Sequence, residues 1–142
     1  MASWAEIEGE APDLAVQARE LFDAHVHKTL ATLRRDGSPR ISGTEMEFAD
    51  GEVRFGSMPR AVKALDLQRD PRFALHSGSQ DPPGWGGDAK IAGRAEELEH
   101  SEPHHLFRAD IAELVVVRLS EARDKLIIES WHPDRGVSRL ER

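Results

Sequence analysis

Two Asp-Gly pairs, Asp36-Gly37 and Asp50-Gly51, constrain this chain more than any other feature in it. Asp-Gly reverses a strand in two residues, because both turn positions take positive φ. Each pair lies between runs that alternate apolar and polar residues, as strands with one buried face do. The first half therefore reads as a meander of three antiparallel strands: His27 to Arg34, Arg40 to Phe48, and Val53 to Phe55.

The meander runs into Glu52 to His76, EVRFGSMPRAVKALDLQRDPRFALH. Gly56, Ser57 and Pro59 break the strand. Pro59 suits a first helical position, where its missing N–H has no partner to lose. The helix should end at Asp70-Pro71, since a residue before proline is pushed out of the helical region. Alternation resumes from Arg72 to His76, with Phe73 and Leu75 on one face.

The charges in this helix point to chemistry. Arg60 and Lys63 fall in its first turns, and no acid precedes Asp66. A helix start already carries partial positive charge, so two cations there cost stability unless an anion joins them. A phosphate is the natural anion. The plainer reading leaves both side chains solvated, with Lys63 paired to Asp66.

Elsewhere the pattern is coarser. Residues 1–11 read as a loosely held acidic tail, and 12–142 as one domain. Asp13 is placed to cap an amphipathic helix reaching about Ala24, with Leu14, Ala18, Leu21 and Phe22 on one side. After a strand over 72–79, the prolines and glycines of DPPGWGGD (81–88) exclude regular structure. Asp88 to Leu98 reads as a long strand, and Ser101-Glu102-Pro103 as the start of a short helix. Ile111 to Leu119, Lys125 to Trp131 and Val137 to Leu140 complete the strands. About seven strands and three helices favour a mainly β, antiparallel closed or split barrel over a ferredoxin-like α+β layer. Strands and helices do not alternate, so a doubly wound sheet is unfavoured.

Composition narrows the classes. The 142 residues suit one domain with a real core, and the net charge of −7 argues against nucleic-acid binding. The absence of cysteine removes disulfides, thiolate zinc sites and cysteine nucleophiles. No apolar run reaches ~18 residues, so no membrane span is expected. The N-terminus lacks a signal-peptide pattern, and the cytoplasm is the expected location. Seven histidines occur, but without metal-ligand spacing. No nucleophile elbow, Walker loop or dinucleotide glycine motif is present. Trp131 closes an apolar strand, where it serves either as core or as a stacking surface for a planar ligand.

Leu30 to Asp50, LATLRRDGSPRISGTEMEFAD, resembles the opening strands of the pyridoxamine 5′-phosphate oxidase family, the FMN-binding split barrels. Val53 to Leu75 is similar to that family's phosphate region: a strand, a Ser or Thr, a helix lysine, then Asp-Pro. Asp88 to Gly93, DAKIAG, resembles a later strand. The resemblance implies a homodimer with cofactor at the interface. It places Ser57, Arg60 and Lys63 at a flavin phosphate, Lys90 near the flavin rim, and Trp131 at the cofactor. Arg60 stands in for an arginine that the family places beside the lysine. The oxidases' phosphate-binding arginine and substrate-binding lysine correspond to Ser42 and Glu47. A carboxylate at the latter position repels a phosphorylated substrate, so pyridoxamine 5′-phosphate is not expected. The implied function is hydride transfer between FMN and a small planar substrate. Deazaflavin coenzyme F-420 is the alternative cofactor, and a non-catalytic flavin- or heme-binding barrel the alternative function.

Overall fold

A computed structural model describes all residues, 1–142. Nine antiparallel strands form one sheet: β1 Lys28–Leu33, β2 Pro39–Thr44, β3 Met46–Ala49, β4 Glu52–Ser57, β5 Arg72–His76, β6 Asp88–Glu97, β7 His105–Leu119, β8 Leu126–His132 and β9 Gly136–Glu141. The order is β2-β1-β5-β6-β7-β4-β3, with β8 and β9 continuing from β7. The split arises in the long strand β7. Its first residues pair with β4, its last with β8, and β6 lines its other edge. A bulge lies opposite Ala92 and Gly93, where Ala112 is the extra residue in β7. A side chain at Gly93 would strike the Asp110 carbonyl, so the bulge needs glycine. The two ends of the sheet approach where the Thr44 hydroxyl reaches the Gly56 carbonyl at 3.4 Å. This is the antiparallel split barrel expected from the turns and strand runs, with more strands than the seven expected.

The two Asp-Gly turns differ. Asp50 and Gly51 both have positive φ, and Ala49 pairs with Glu52, so this is the two-residue reversal. Only Gly37 does so in the first hairpin. There the Gly37 N–H reaches the Arg34 carbonyl, and the Arg34 N–H the Ser38 carbonyl. That is a three-residue loop, a turn followed by a left-handed glycine. Asp36 accepts hydrogen bonds from the Ser38 N–H and hydroxyl instead of lending its backbone to positive φ.

Three helices are present: α1 Trp4–Glu10, α2 Pro12–Asp23 and α3 Val62–Arg69. The first overturns the expected tail. Ser3 and Glu6 form a reciprocal cap at its start. Trp4 and Ile7, one turn apart, are completely buried. Ala2 pairs with Ile111 in β7 through two hydrogen bonds. The first residues are therefore core, concealed in the sequence by the acids between them. Pro12 opens α2 and Asp13 lies in its first turn, so Asp13 is not the cap. The short helix expected from Ser101 does not form; the chain bends through 101–104 and enters β7. No helix is long and apolar enough to cross a membrane.

The core lies between the inner face of the barrel and α1–α2. Leu30, Leu75, Ile91, Ile111 and Leu114 from the strands meet Trp4, Leu14, Ala18 and Phe22 from the helices. α3 packs at the other end, against β1.

Candidate functional site

The site is built where β4 gives way to α3. Ser57 ends β4, and Met58 to Ala61 form the connection. The Ala61 N–H bonds the Met58 carbonyl, and Arg60 has φ 61°. Proline at the second position and positive φ at the third describe a type II turn. Pro59 thus serves the turn, and α3 starts three residues later, at Val62. Ala61 offers no side-chain cap. Its carbonyl takes the Ala64 and Leu65 N–H groups, leaving those of Val62 and Lys63 without a partner in that turn.

Ser57 Oγ is buried and has no hydrogen-bond partner; the only other such side-chain atom is Trp4 Nε1, in the core. An unmatched buried hydroxyl costs about 1–3 kcal/mol. Lys63 Nζ donates to the Gly43 carbonyl of β2 at 2.7 Å. Desolvation holds its pKa below the usual lysine value. The expected pairing of Lys63 with Asp66 does not occur. Asp66 is buried and accepts from Thr32 Oγ1 at 2.8 Å, Arg40 Nε at 2.7 Å and Arg69 Nη2 at 3.1 Å. Burial pushes its pKa up, but these donors outweigh that and leave it below the ordinary carboxylate value. Lys63 and Ser57 are joined through one short path: Lys63 to Gly43, Thr44 to Gly56, then Ser57. Arg60 is exposed beside them, its side chain free of any ion pair.

Lys90 lies on the outer face of β6. Gly43, Thr29, His76 and Lys90 stand in one row across β2, β1, β5 and β6. Three strand spacings separate Lys90 from the Lys63-bonded carbonyl, about 14 Å. Beside this row, Ala31, Ala74 and Ala92 line up in register. They floor a cavity of about 250 Å³, with Ile41, His76, Lys90 and Glu113 around it. Three methyl groups abreast make a flat bed suited to a planar ring. Sequence reasoning missed these alanines, because each is unremarkable until the register aligns them.

Another cavity, of about 230 Å³, opens beside Gly56 and is lined by Glu45, Met46, Glu47, Arg54, Phe55 and Leu106. The carboxylate noted at position 47 therefore does face a cavity next to Ser57. Trp131 is separate from all of this. It is 1% exposed in the core, and its Nε1 donates to Glu10 Oε2 at 3.0 Å. Of its two sequence readings, the core one holds. The structure thus brings Ser57, Arg60 and Lys63 together, sets Lys90 at the far end of a strand row, and removes Trp131 from the group.

The chain matches the family model described as pyridoxamine 5′-phosphate oxidase over residues 14–140 and belongs to that family. No curated protein matches it in sequence. Among solved structures it is similar to PhzG from Burkholderia lata 383, in complex with tetrahydrophenazine-1-carboxylic acid: TM-score 0.72, 13% identity, covering 100% of this chain and 96% of that one. A pyridoxamine 5′-phosphate oxidase-related, FMN-binding protein from Nostoc punctiforme gives TM-score 0.66 and 14% identity, covering 100% and 97%. A heme-binding protein from Mycobacterium smegmatis gives 0.62 and 14%, covering 90% and 87%. At these identities the likeness is one of fold.

Proposed function

We infer that this protein binds the phosphate of a flavin at Ser57, Lys63 and Arg60 and works as an oxidoreductase on a small planar substrate without a phosphate. One observation carries this reading: a buried, partnerless hydroxyl beside a desolvated lysine that has no carboxylate to neutralise it. A phosphate supplies acceptors for the hydroxyl and charge for the lysine in a single group. FMN is the cofactor we assign. The relative described as FMN-binding supports a flavin in this fold.

The flavin ring carries the hydride chemistry when bound. The chain orients it. The alanine row would hold the ring, with Lys90 beside it. Glu45 and Glu47 line the neighbouring cavity, whose one cation, Arg54, is already paired with Asp50 and Glu52, so an anionic substrate is disfavoured there. A second copy of the chain is the proposed partner. Ile41, 74% exposed beside the alanine row, gains cover from it, and the ring cavity gains its missing wall. Deazaflavin coenzyme F-420 fits the same anchor, since it too offers a phosphate.

The test is direct. Purified protein is titrated with FMN and with the deazaflavin coenzyme, followed by absorbance in each band, and the bound form is then assayed for reduction of planar acceptors. Micromolar binding of one cofactor, with turnover, is expected. Failure of both to bind ends the reading; binding without turnover reduces it to a storage or sensing role.

A further inference from the structure

The turn that joins Ser57 to Lys63 is held by a group from the opposite strand. Arg60 occupies the left-handed region, which disfavours residues other than glycine. Its N–H donates to His105 Nε2 at 3.1 Å. His105 stands directly opposite Ser57 in the β4–β7 pairing. Because Nε2 accepts, the ring proton sits on Nδ1 and is donated to Glu97 Oε2, 2.7 Å away. Glu97 in turn accepts from Gln68 Nε2 of α3 at 2.8 Å through its other oxygen. The chain of bonds therefore starts on α3, crosses β6 and β7, and returns to Arg60, in the turn before α3. It ends on the backbone of Arg60 and makes no bond to Ser57 Oγ or Lys63 Nζ.

We propose that His105, neutral and oriented by Glu97, is the positioning residue that latches the Ser57–Lys63 turn in its anion-binding shape. This rests on the phosphate reading of that site. The imidazole does two things no apolar residue can. It supplies the acceptor for a backbone N–H in a strained turn, and Glu97 selects the tautomer that leaves that acceptor free. Protonation places a second N–H on Nε2, donor against donor, and opens the latch. The groups facing His105 are Glu97 from β6, the Arg60 N–H from the turn, and the Phe107 ring stacked on it. His100 is the other titratable group near Glu97, and the His104 ring lies tilted against it at 4.5 Å.

The test compares the full-length protein with His105→Gln and His105→Ala, each first shown to be folded by its thermal melt. Glutamine places an amide oxygen near the Nε2 position, so it keeps the acceptor but cannot titrate. In ¹⁵N-labelled protein the Arg60 amide is expected to resist hydrogen exchange in the wild type and in His105→Gln. It should exchange roughly tenfold faster in His105→Ala, the scale of one lost hydrogen bond. On acidification the Arg60 amide signal should move in the wild type and stay still in His105→Gln. FMN affinity should fall about tenfold in His105→Ala and stay near the wild-type value in His105→Gln. An Arg60 amide that behaves alike in all three proteins overturns the latch. So does a glutamine variant as weak for FMN as the alanine one. If no form binds FMN while the amide responds as described, the latch stands and the cofactor reading falls.

Discussion

The two sides of α3 treat charge in opposite ways. On one side, Asp66 is buried and closed off inside the chain. Thr32, Arg40 and Arg69 supply every hydrogen bond it takes, from two strands and its own helix. On the other side, Lys63 has a neutral carbonyl for a partner, Ser57 has none, and Arg60 points to solvent. Eight residues of helix thus hold a finished polar cluster and an unfinished one. A buried charge that serves the fold is matched within the chain, because an unmatched one costs several kcal/mol. Where the chain leaves cations and a buried hydroxyl unmatched, the partner we propose is a phosphate from outside.

Four outcomes would break or sharpen this contrast. Asp66→Ala strips three donors of their acceptor and leaves two arginines beside the barrel end. It should cost about 3–5 kcal/mol in urea unfolding, the penalty for breaking a buried ion pair. A loss near zero would mean the closed side is not structural. Lys63→Met keeps the stem but removes the charge. FMN affinity should drop on the order of 10- to 100-fold, while urea stability holds or rises slightly, since a desolvated ammonium is removed. A matching loss of stability would erase the distinction between the sides. Ser57→Ala should lower FMN affinity about tenfold and leave stability unchanged or improved, because an unmatched buried hydroxyl is gone.

The fourth is a pH profile without cofactor. Asp66 has a lowered pKa in the folded state, so its stabilisation is complete above the unfolded value of 3.8 and fades as pH falls through the lowered one. Asp66→Asn should flatten that acid limb. Lys63 also has a lowered folded pKa, and the slope has the same sign, but for a base the shift is a cost at neutral pH that is relieved as pH rises. Between that value and 10.5 the unfolded chain binds more protons, so stability rises with pH there. Lys63→Met should remove this small rise.

What was legible in the sequence was local. The Asp50-Gly51 reversal and the stop at Asp70-Pro71 depend on neighbouring residues, and both appear where expected; the run Arg40 to Phe48 instead breaks at Glu45 into β2 and β3, which lie at opposite ends of the strand order, so the expected three-strand meander does not form. The Ser57–Lys63 stretch stood out for the same reason, although its helix starts at Val62 and Pro59 belongs to the turn before it. What escaped needs partners far along the chain. Trp131 is core because Glu10 meets its indole. Residues 1–11 are ordered because Ala2 pairs with Ile111 and Trp4 packs on Phe48. Lys63 stays unpaired because Arg40, on another strand, reaches Asp66 first. His105 and the alanine row acquire their roles only from strand register, which no local pattern shows.

The central claim concerns a phosphate, so the most direct measurement compares FMN with riboflavin, its phosphate-free counterpart, on the wild type and on Lys63→Met. The account predicts that the wild type binds FMN at micromolar concentration and riboflavin far more weakly, and that Lys63→Met loses most of this preference by weakening FMN and leaving riboflavin unchanged. Equal binding of FMN and riboflavin by the wild type, unchanged in Lys63→Met, would contradict it.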